Sequence, residues 1–215
     1  MIAKTDKGLG PCAIESTRYI QDVLVHLADP GTYQTLTRAA AEAEARRICR
    51  DIYSWTFKYR KSLDEHETKY IRKKTDDSAE DPFGYFYLMY KVHKSPLKTR
   101  PVVSDCGSCT YALAKWVDIQ LQPIVQELPF YFRDSFDLKE LILNPAIVPA
   151  RSRVWASDAV GMYINIPTDP ALVEIAAYLR DPETQKQFPH YKAEMLIAAL
   201  EIVMQNSLIK CGVQC

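Results

Sequence analysis

The sequence predicts an α+β protein, mostly helical, with a single β-hairpin and one short strand. Two observations carry that expectation. Apolar residues recur at helical spacing in several separated segments, and the pattern turns to extended only over about 85–104 and again briefly near 153–158. No alternation of strand and helix in βαβ units appears, so the arrangement expected is α+β.

The elements follow in order. Ser16 to Leu27 places Ile20, Val23, Leu24 and Leu27 on one stripe, and Asp29-Pro30-Gly31 ends the helix. Thr37 to Lys61 reads as a long helix, with Ala and Glu supplying propensity and Ile48, Ile52, Trp55 and Tyr59 an apolar face. Asp64 to Lys74 is a further helix, and the acidic run Asp76 to Pro82 reads as an exposed loop. Tyr85 to Val92 and Arg100 to Ser104 are rich in aromatic and β-branched residues around Ser95-Pro96-Leu97-Lys98-Thr99, which predicts a hairpin with a basic tip. Thr110 to Gln126 returns to helix despite Pro123. Ser135 to Leu143 is a helix capped by Asp134, with Asp137 in its first turn. Beyond Pro145 and Pro149, Arg153 to Asp158 reads as a short strand. Asp169 is the expected cap of a helix with Pro170 at its first position, and His190 to Leu208 is the last helix.

The chain has 215 residues, 47% of them hydrophobic, and equal numbers of basic and acidic side chains, 27 of each. This is the composition of a globular protein and excludes disorder, collagen and coiled coil. No run reaches the roughly 18 to 20 apolar residues of a membrane span, and the opening residues lack the apolar core of a signal peptide. An intracellular protein, cytoplasmic or nuclear, without a membrane partner is expected, its six scattered cysteines reduced. The zero net charge hides an asymmetry: residues 1–100 carry 18 basic and 14 acidic side chains, the remainder 9 and 13. Ten basic residues lie between Arg46 and Lys74 among Tyr53, Trp55, Phe57, Tyr59 and Tyr70. Gly84 to Arg100 holds Lys91, Lys94, Lys98 and Arg100 with no acid. Cations interleaved with aromatics suit a phosphate-backbone surface with stacking platforms, and equally a solvated helix face.

Asp158, where an apolar strand meets a glycine-containing turn, is placed to hold a divalent cation or to serve as an ordinary turn residue. Cys106 and Cys109 have C-x-x-C spacing, and Cys211 with Cys215 could complete four thiolates for zinc, although the second pair has the wrong flanks for such a site. His66, His93 and His190 show no metal-ligand spacing.

Three segments, Lys91-Val92-His93-Lys94, Arg100-Pro101-Val102-Val103-Ser104 and Asp158-Ala159-Val160-Gly161-Met162-Tyr163-Ile164-Asn165-Ile166, resemble in order and spacing the reverse transcriptases of Penelope-like and related non-LTR retroelements. Thr5-Asp6-Lys7-Gly8 resembles a stretch found upstream of the fingers in that group. Trp116 to Leu121 and Arg133 to Phe136 are similar too. The resemblance implies the fingers and partial palm of a right-hand polymerase from a transposable element: residues 1–150 fingers-like, 151–215 a partial palm. It implies an RNA-directed DNA polymerase, a nucleotidyltransferase that uses Mg²⁺, an RNA template, a DNA primer and dNTPs. Asp158 then matches the first metal-binding, catalytic aspartate. Tyr163 matches the bulky residue that excludes a ribose 2′-hydroxyl, and Arg100 the fingers arginine on the triphosphate. Lys91, Lys94 and Lys7 match weaker phosphate or template contacts.

The resembling family carries two more palm motifs, one of them Y/F-x-D-D, and neither occurs in these 215 residues. One carboxylate cannot hold two divalent ions about 4 Å apart. A truncated fragment that does not polymerise alone is therefore expected, with an unpaired palm-strand edge through which it associates. A nucleic-acid-binding remnant of the same fold and a helical interaction domain with accidental motif matches are the competing readings.

Overall fold

The computed structural model describes residues 1–144, 147–149, 151–153, 155–158 and 162–212, with Tyr163 and Ile164 described by backbone alone. The architecture mixes helices with one small sheet, in keeping with the α+β expectation. Two compact units divide it: Met1–Ala114 with Glu201–Cys215, and Lys115–Leu200.

The first unit is built on the hairpin. Strands β3 (Gly84–Lys91) and β4 (Lys98–Ser104) pair antiparallel from Tyr85↔Ser104 to Lys91↔Lys98. Strict alternation along β3 buries Phe86, Leu88 and Tyr90 and leaves Tyr85, Tyr87, Met89 and Lys91 on the opposite face. The other edge of β3 is shared by two strands that local pattern does not reveal. β1 (Ile2–Thr5) runs parallel to it through Lys4↔Met89 and Thr5↔Tyr90, and β5 (Ile209–Cys211) runs parallel through Gly84↔Ile209 to Phe86↔Cys211. β2 (Cys12–Ala13) pairs antiparallel with β1, giving the order β2-β1-β3-β4 with β5 beside β3.

Helix α1 (Ser16–Leu27) forms as its apolar stripe predicts and lays Tyr19 and Val23 against Ala3, Phe86, Leu88 and Tyr90. The Tyr33 ring meets the edge of Phe86 at 6.1 Å. Between β1 and β5 the ladder on β3 is interrupted, and there the Leu88 N–H donates to the Tyr19 hydroxyl at 3.2 Å. A side chain from α1 thus completes the strand's hydrogen bonding where no strand reaches.

Helix α2 (Arg38–Lys58) starts at Thr37, whose hydroxyl accepts from Ala40 N–H at 3.3 Å, and buries Ala45, Ile48, Ile52, Trp55 and Thr56. Helix α3 (Glu65–Asp77) opens with a capping box: Asp64 accepts from Glu67 N–H at 2.6 Å and Glu67 accepts from Asp64 N–H at 2.9 Å. It runs through Asp76 and Asp77, which correct the loop expected there. The Tyr53 hydroxyl donates to Asp76, and Lys74 lies 3.6 Å from Asp77, so the acidic pair is compensated within the helical turn.

Helix α4 (Tyr111–Gln126) carries Pro123 near its end. The second unit continues with α5 (Ser135–Leu143), where Asp134 accepts from Phe136 and Asp137 N–H at 2.8 and 3.2 Å, as the cap predicts. After the short α6 (Met162–Asn165), α7 (Thr168–Arg180) starts from Pro167 with no side-chain cap, so Asp169 lies inside the first turn and not at the cap. The Asp-Pro device operates one helix later. In α8 (Pro182–Gln187), Asp181 accepts from Thr184 N–H at 2.8 Å with Pro182 in the first turn. Helix α9 (Ala193–Gln205) is shorter at both ends than His190 to Leu208. Arg180 reaches Glu194 at 2.6 and 3.0 Å.

The short palm strand expected at Arg153 to Asp158 is corrected: no described residue of that segment is in a strand, and Trp155 is 84% exposed. A lone extended segment gains stability only from partners on its edges, and the described strands all belong to the first unit. The strand edge expected to drive association therefore does not exist among the described residues, and neither does a helix long and apolar enough to cross a membrane.

Candidate nucleic-acid interface

Residues paired across a sheet share a face, so the register defines the open side of the hairpin. Opposite the packed face stand Tyr85 and Ser104, Tyr87 and Val102, Met89 and Arg100, and Lys91 and Lys98, with Lys4 of β1 beside Met89. Four cations and two tyrosines thus occupy one surface. Lys4 Nζ lies 4.8 Å from the centroid of the Tyr87 ring, a cation–π contact. A hollow of about 390 Å³ opens beside them, lined by Ile2, Lys4, Tyr19, Tyr85, Tyr87 and Leu88 among others.

Arg100 is held from below. Its Nη1 donates to Asp6 Oδ1 at 3.0 Å, with the arginine side chain half exposed and the aspartate side chain 5% exposed. Asp6 also accepts from the Lys7 N–H at 3.1 Å, in a turn of 3₁₀ helix where Lys7 and Gly8 have φ of 61° and 66°. Two stretches 94 residues apart, Thr5 to Gly8 and the hairpin, therefore meet at one ion pair. Lys7 is exposed on that turn, and Lys94 is exposed at the hairpin tip, where its N–H donates to the Lys91 carbonyl at 2.9 Å. Among the described residues, Lys7, Lys91, Lys94 and Lys98 have no carboxylate within ion-pair distance, which leaves their charges available to an anion.

The packed face anchors this surface. Tyr90 donates to Asp22 at 2.9 Å, and burial together with that bond pushes its phenol well above the usual range. His26 Nε2 and the Thr99 hydroxyl are 2.7 Å apart, and burial lowers the imidazole below its ordinary value. Burial also raises the Tyr19 phenol. These groups are neutral at pH 7, so the charge of the hairpin lies on its open side.

Asp158 and Tyr163 belong to the second unit. Asp158 is exposed in irregular backbone. Tyr163 lies in α6, its side chain outside the described residues, as are Ala159, Val160 and Gly161 of the same motif. As a donor set for Mg²⁺, Asp158 offers one exposed carboxylate; a cation there would take its other positions from water and phosphate. Among the described residues no three His, Cys, Asp or Glu side chains converge as ligands. Asp6, Lys4, Tyr85 and Tyr87 are residues of the candidate interface that sequence reasoning did not single out. Asp6 lies within the resembling Thr5 to Gly8 stretch, which was the available signal, whereas Lys4 becomes visible only through β1 pairing.

Compared with protein-family models, curated proteins and solved structures, the chain matches none.

Proposed function

We propose that this chain is the fingers and the beginning of the palm of an RNA-directed DNA polymerase of retroelement type, and that the open face of its hairpin binds nucleic acid. The supporting observation is the convergence of Lys4, Lys91, Lys98 and Arg100 with Tyr85 and Tyr87 on one exposed sheet surface. Cations neutralise phosphates and displace condensed counterions, while tyrosine faces accept bases without sequence preference. Arg100, fixed through one Nη1 by Asp6, presents the rest of a planar fork suited to a phosphate of the template-primer or of an incoming dNTP. Lys7 and Lys94 extend the cationic surface. Asp158 would hold Mg²⁺ against the nucleotide phosphates and Tyr163 would select the deoxyribose; both roles rest on the motif resemblance. With a single carboxylate assigned, binding and not nucleotidyl transfer is the activity proposed for these residues alone.

The test is anisotropy of a labelled RNA–DNA hybrid against salt. Four phosphate contacts predict a slope of log affinity on log salt of about −3.6, and Arg100→Ala is expected to reduce its magnitude by about 1. Asp158→Ala should leave binding unchanged. Affinity indifferent to both Arg100→Ala and a Lys91→Glu, Lys98→Glu double change would remove the interface from the sheet. Mg²⁺-dependent primer extension by the chain, abolished by Asp158→Ala, would replace binding alone with catalysis.

A further inference from the structure

The hollow beside the hairpin is lined from both faces of the sheet. Tyr85 and Tyr87 belong to the open face, whereas Tyr19 and Leu88 belong to the packed one. The strand register explains how they come to share it. On its outer edge β3 pairs with β5 as far as Phe86 and with β1 from Met89 onward, so at Tyr87 and Leu88 no strand closes the sheet. At about 390 Å³ the opening has the size of a small-molecule site.

Its aromatic walls are held from opposite sides. The Tyr85 hydroxyl lies so close to Gly212, the residue after β5, that a Cβ there would displace it. Lys4 Nζ stands 4.8 Å from the centre of the Tyr87 ring. Two positions apart on one strand, the two tyrosine Cα atoms are separated by about 6.7 Å, which leaves room for one planar ring between the side chains. Donors in the hollow also lack acceptors. Tyr19 is 8% exposed; its oxygen accepts from Leu88 N–H at 3.2 Å, while its own O–H meets no acceptor among the described residues. Burial raises this phenol, so it keeps its proton at neutral pH. Lys4 has no carboxylate within ion-pair distance among the described residues.

We propose that this hollow is a pocket for a single unpaired nucleobase, a reading that rests on nucleic-acid binding at the open face. The base ring enters between Tyr85 and Tyr87, a carbonyl oxygen or ring nitrogen on its edge accepts the Tyr19 proton, and Lys4 takes the adjoining phosphate. Each wall replaces something a base loses on leaving its stack: a partner for its face and a donor for its edge. Within a duplex, neighbouring bases cover the faces and the opposite strand covers the pairing edge, so the pocket takes single-stranded nucleotides while the cationic face takes the hybrid.

The experiment compares three labelled RNA–DNA hybrids by anisotropy with the full chain: one blunt, one with a three-uridine overhang on its RNA strand, and one with the same overhang made of abasic residues. The two overhangs carry equal phosphates, so their difference reads the bases alone. The uridine overhang is expected to bind about 5- to 150-fold more tightly than the abasic one. Tyr85→Ala and Tyr19→Phe should abolish that difference, whereas Arg100→Ala should weaken all three hybrids and preserve it. Tyr85 is 45% exposed, so its variant decides the matter even if Tyr19→Phe, which strands the Leu88 N–H, fails to fold. On irradiation, 4-thiouridine in the overhang should crosslink to the peptide holding Tyr85 and Tyr87. Equal affinity for the uridine and abasic overhangs, or a crosslink confined to peptides outside the hollow, overturns the pocket and leaves the hybrid interface standing. Binding of the uridine overhang without binding of the blunt or abasic hybrid retains the pocket and removes the hybrid interface. Binding of none overturns both.

Discussion

Replacing Asp6 by Asn should change its effect on stability with the state of Arg100. The Asp6 carboxylate is 5% exposed and accepts from Lys7 N–H at 3.1 Å and Arg100 Nη1 at 3.0 Å. Asparagine retains an acceptor for the amide, so the loss in the wild type is the ion pair. Arg100 is half exposed, and solvent screening limits that pair to about 1 kcal/mol. Arg100→Ala costs more, about 1–3 kcal/mol, because it strands a buried carboxylate. In that background Asp6→Asn removes the stranded charge and should be neutral or stabilising. The coupling across the double-mutant cycle is then at least about 1 kcal/mol. Urea unfolding followed by circular dichroism measures it as shifts in midpoint at constant m. Equal costs of Asp6→Asn in the two backgrounds would refute the pair as drawn. Binding provides a second reading: if Asp6 aims the fork, Asp6→Asn weakens hybrid binding even though it removes a negative charge.

Three further outcomes are expected. Phe86→Ala, at a 1% exposed site edge-on to Tyr33, should cost about 3–5 kcal/mol in denaturant titration, against well under half of that for Phe86→Leu. His26 is lowered mainly by burial, partly offset by Asp22, so the unfolded chain binds the proton first on acidification; stability should be level above about pH 6.5 and fall as pH drops below it. Melting curves between pH 5 and 8 should lose that slope in His26→Gln. Asp64→Ala breaks the α3 capping box and should lower stability by about 1 kcal/mol, whereas Asp169→Ala, inside the first turn of α7, should cost less; thermal melts compare them.

The hairpin was legible because its signal is local. Alternation from Tyr85 to Lys91 is driven by one packed and one open face, and the paired run Lys98 to Ser104 follows within a few residues. Helices α1 and α5 were legible for the same reason: apolar spacing and, for α5, an aspartate able to cap. β1 and β5 were not. Each pairs with β3 over only two or three residues, across more than 80 residues of chain, and the one local partner, β2 for β1, is itself only two residues long. The expected strand at Arg153 to Asp158 failed in the opposite sense, since its residues have extended propensity but no described neighbour to bond. At the site, Lys91 and Arg100 followed from a run of cations without acid and from the motif resemblance, whereas Asp6 beneath Arg100 required a contact 94 residues distant.

The shared edge of β3 also sets a timetable. During synthesis Gly84 to Phe86 emerge 125 residues before Ile209 to Cys211, the segment that pairs with them. At ribosomal rates of about 5–20 residues per second, that stretch of the strand waits roughly 5–20 s after the hairpin is complete. Through the interval the nascent chain carries an open, aromatic edge at Gly84-Tyr85-Phe86, bounded on one side by the Tyr19 hydroxyl at Leu88. Nascent-chain complexes stalled before residue 209 should therefore recruit edge-binding chaperones, and those stalled well beyond residue 211 should release them.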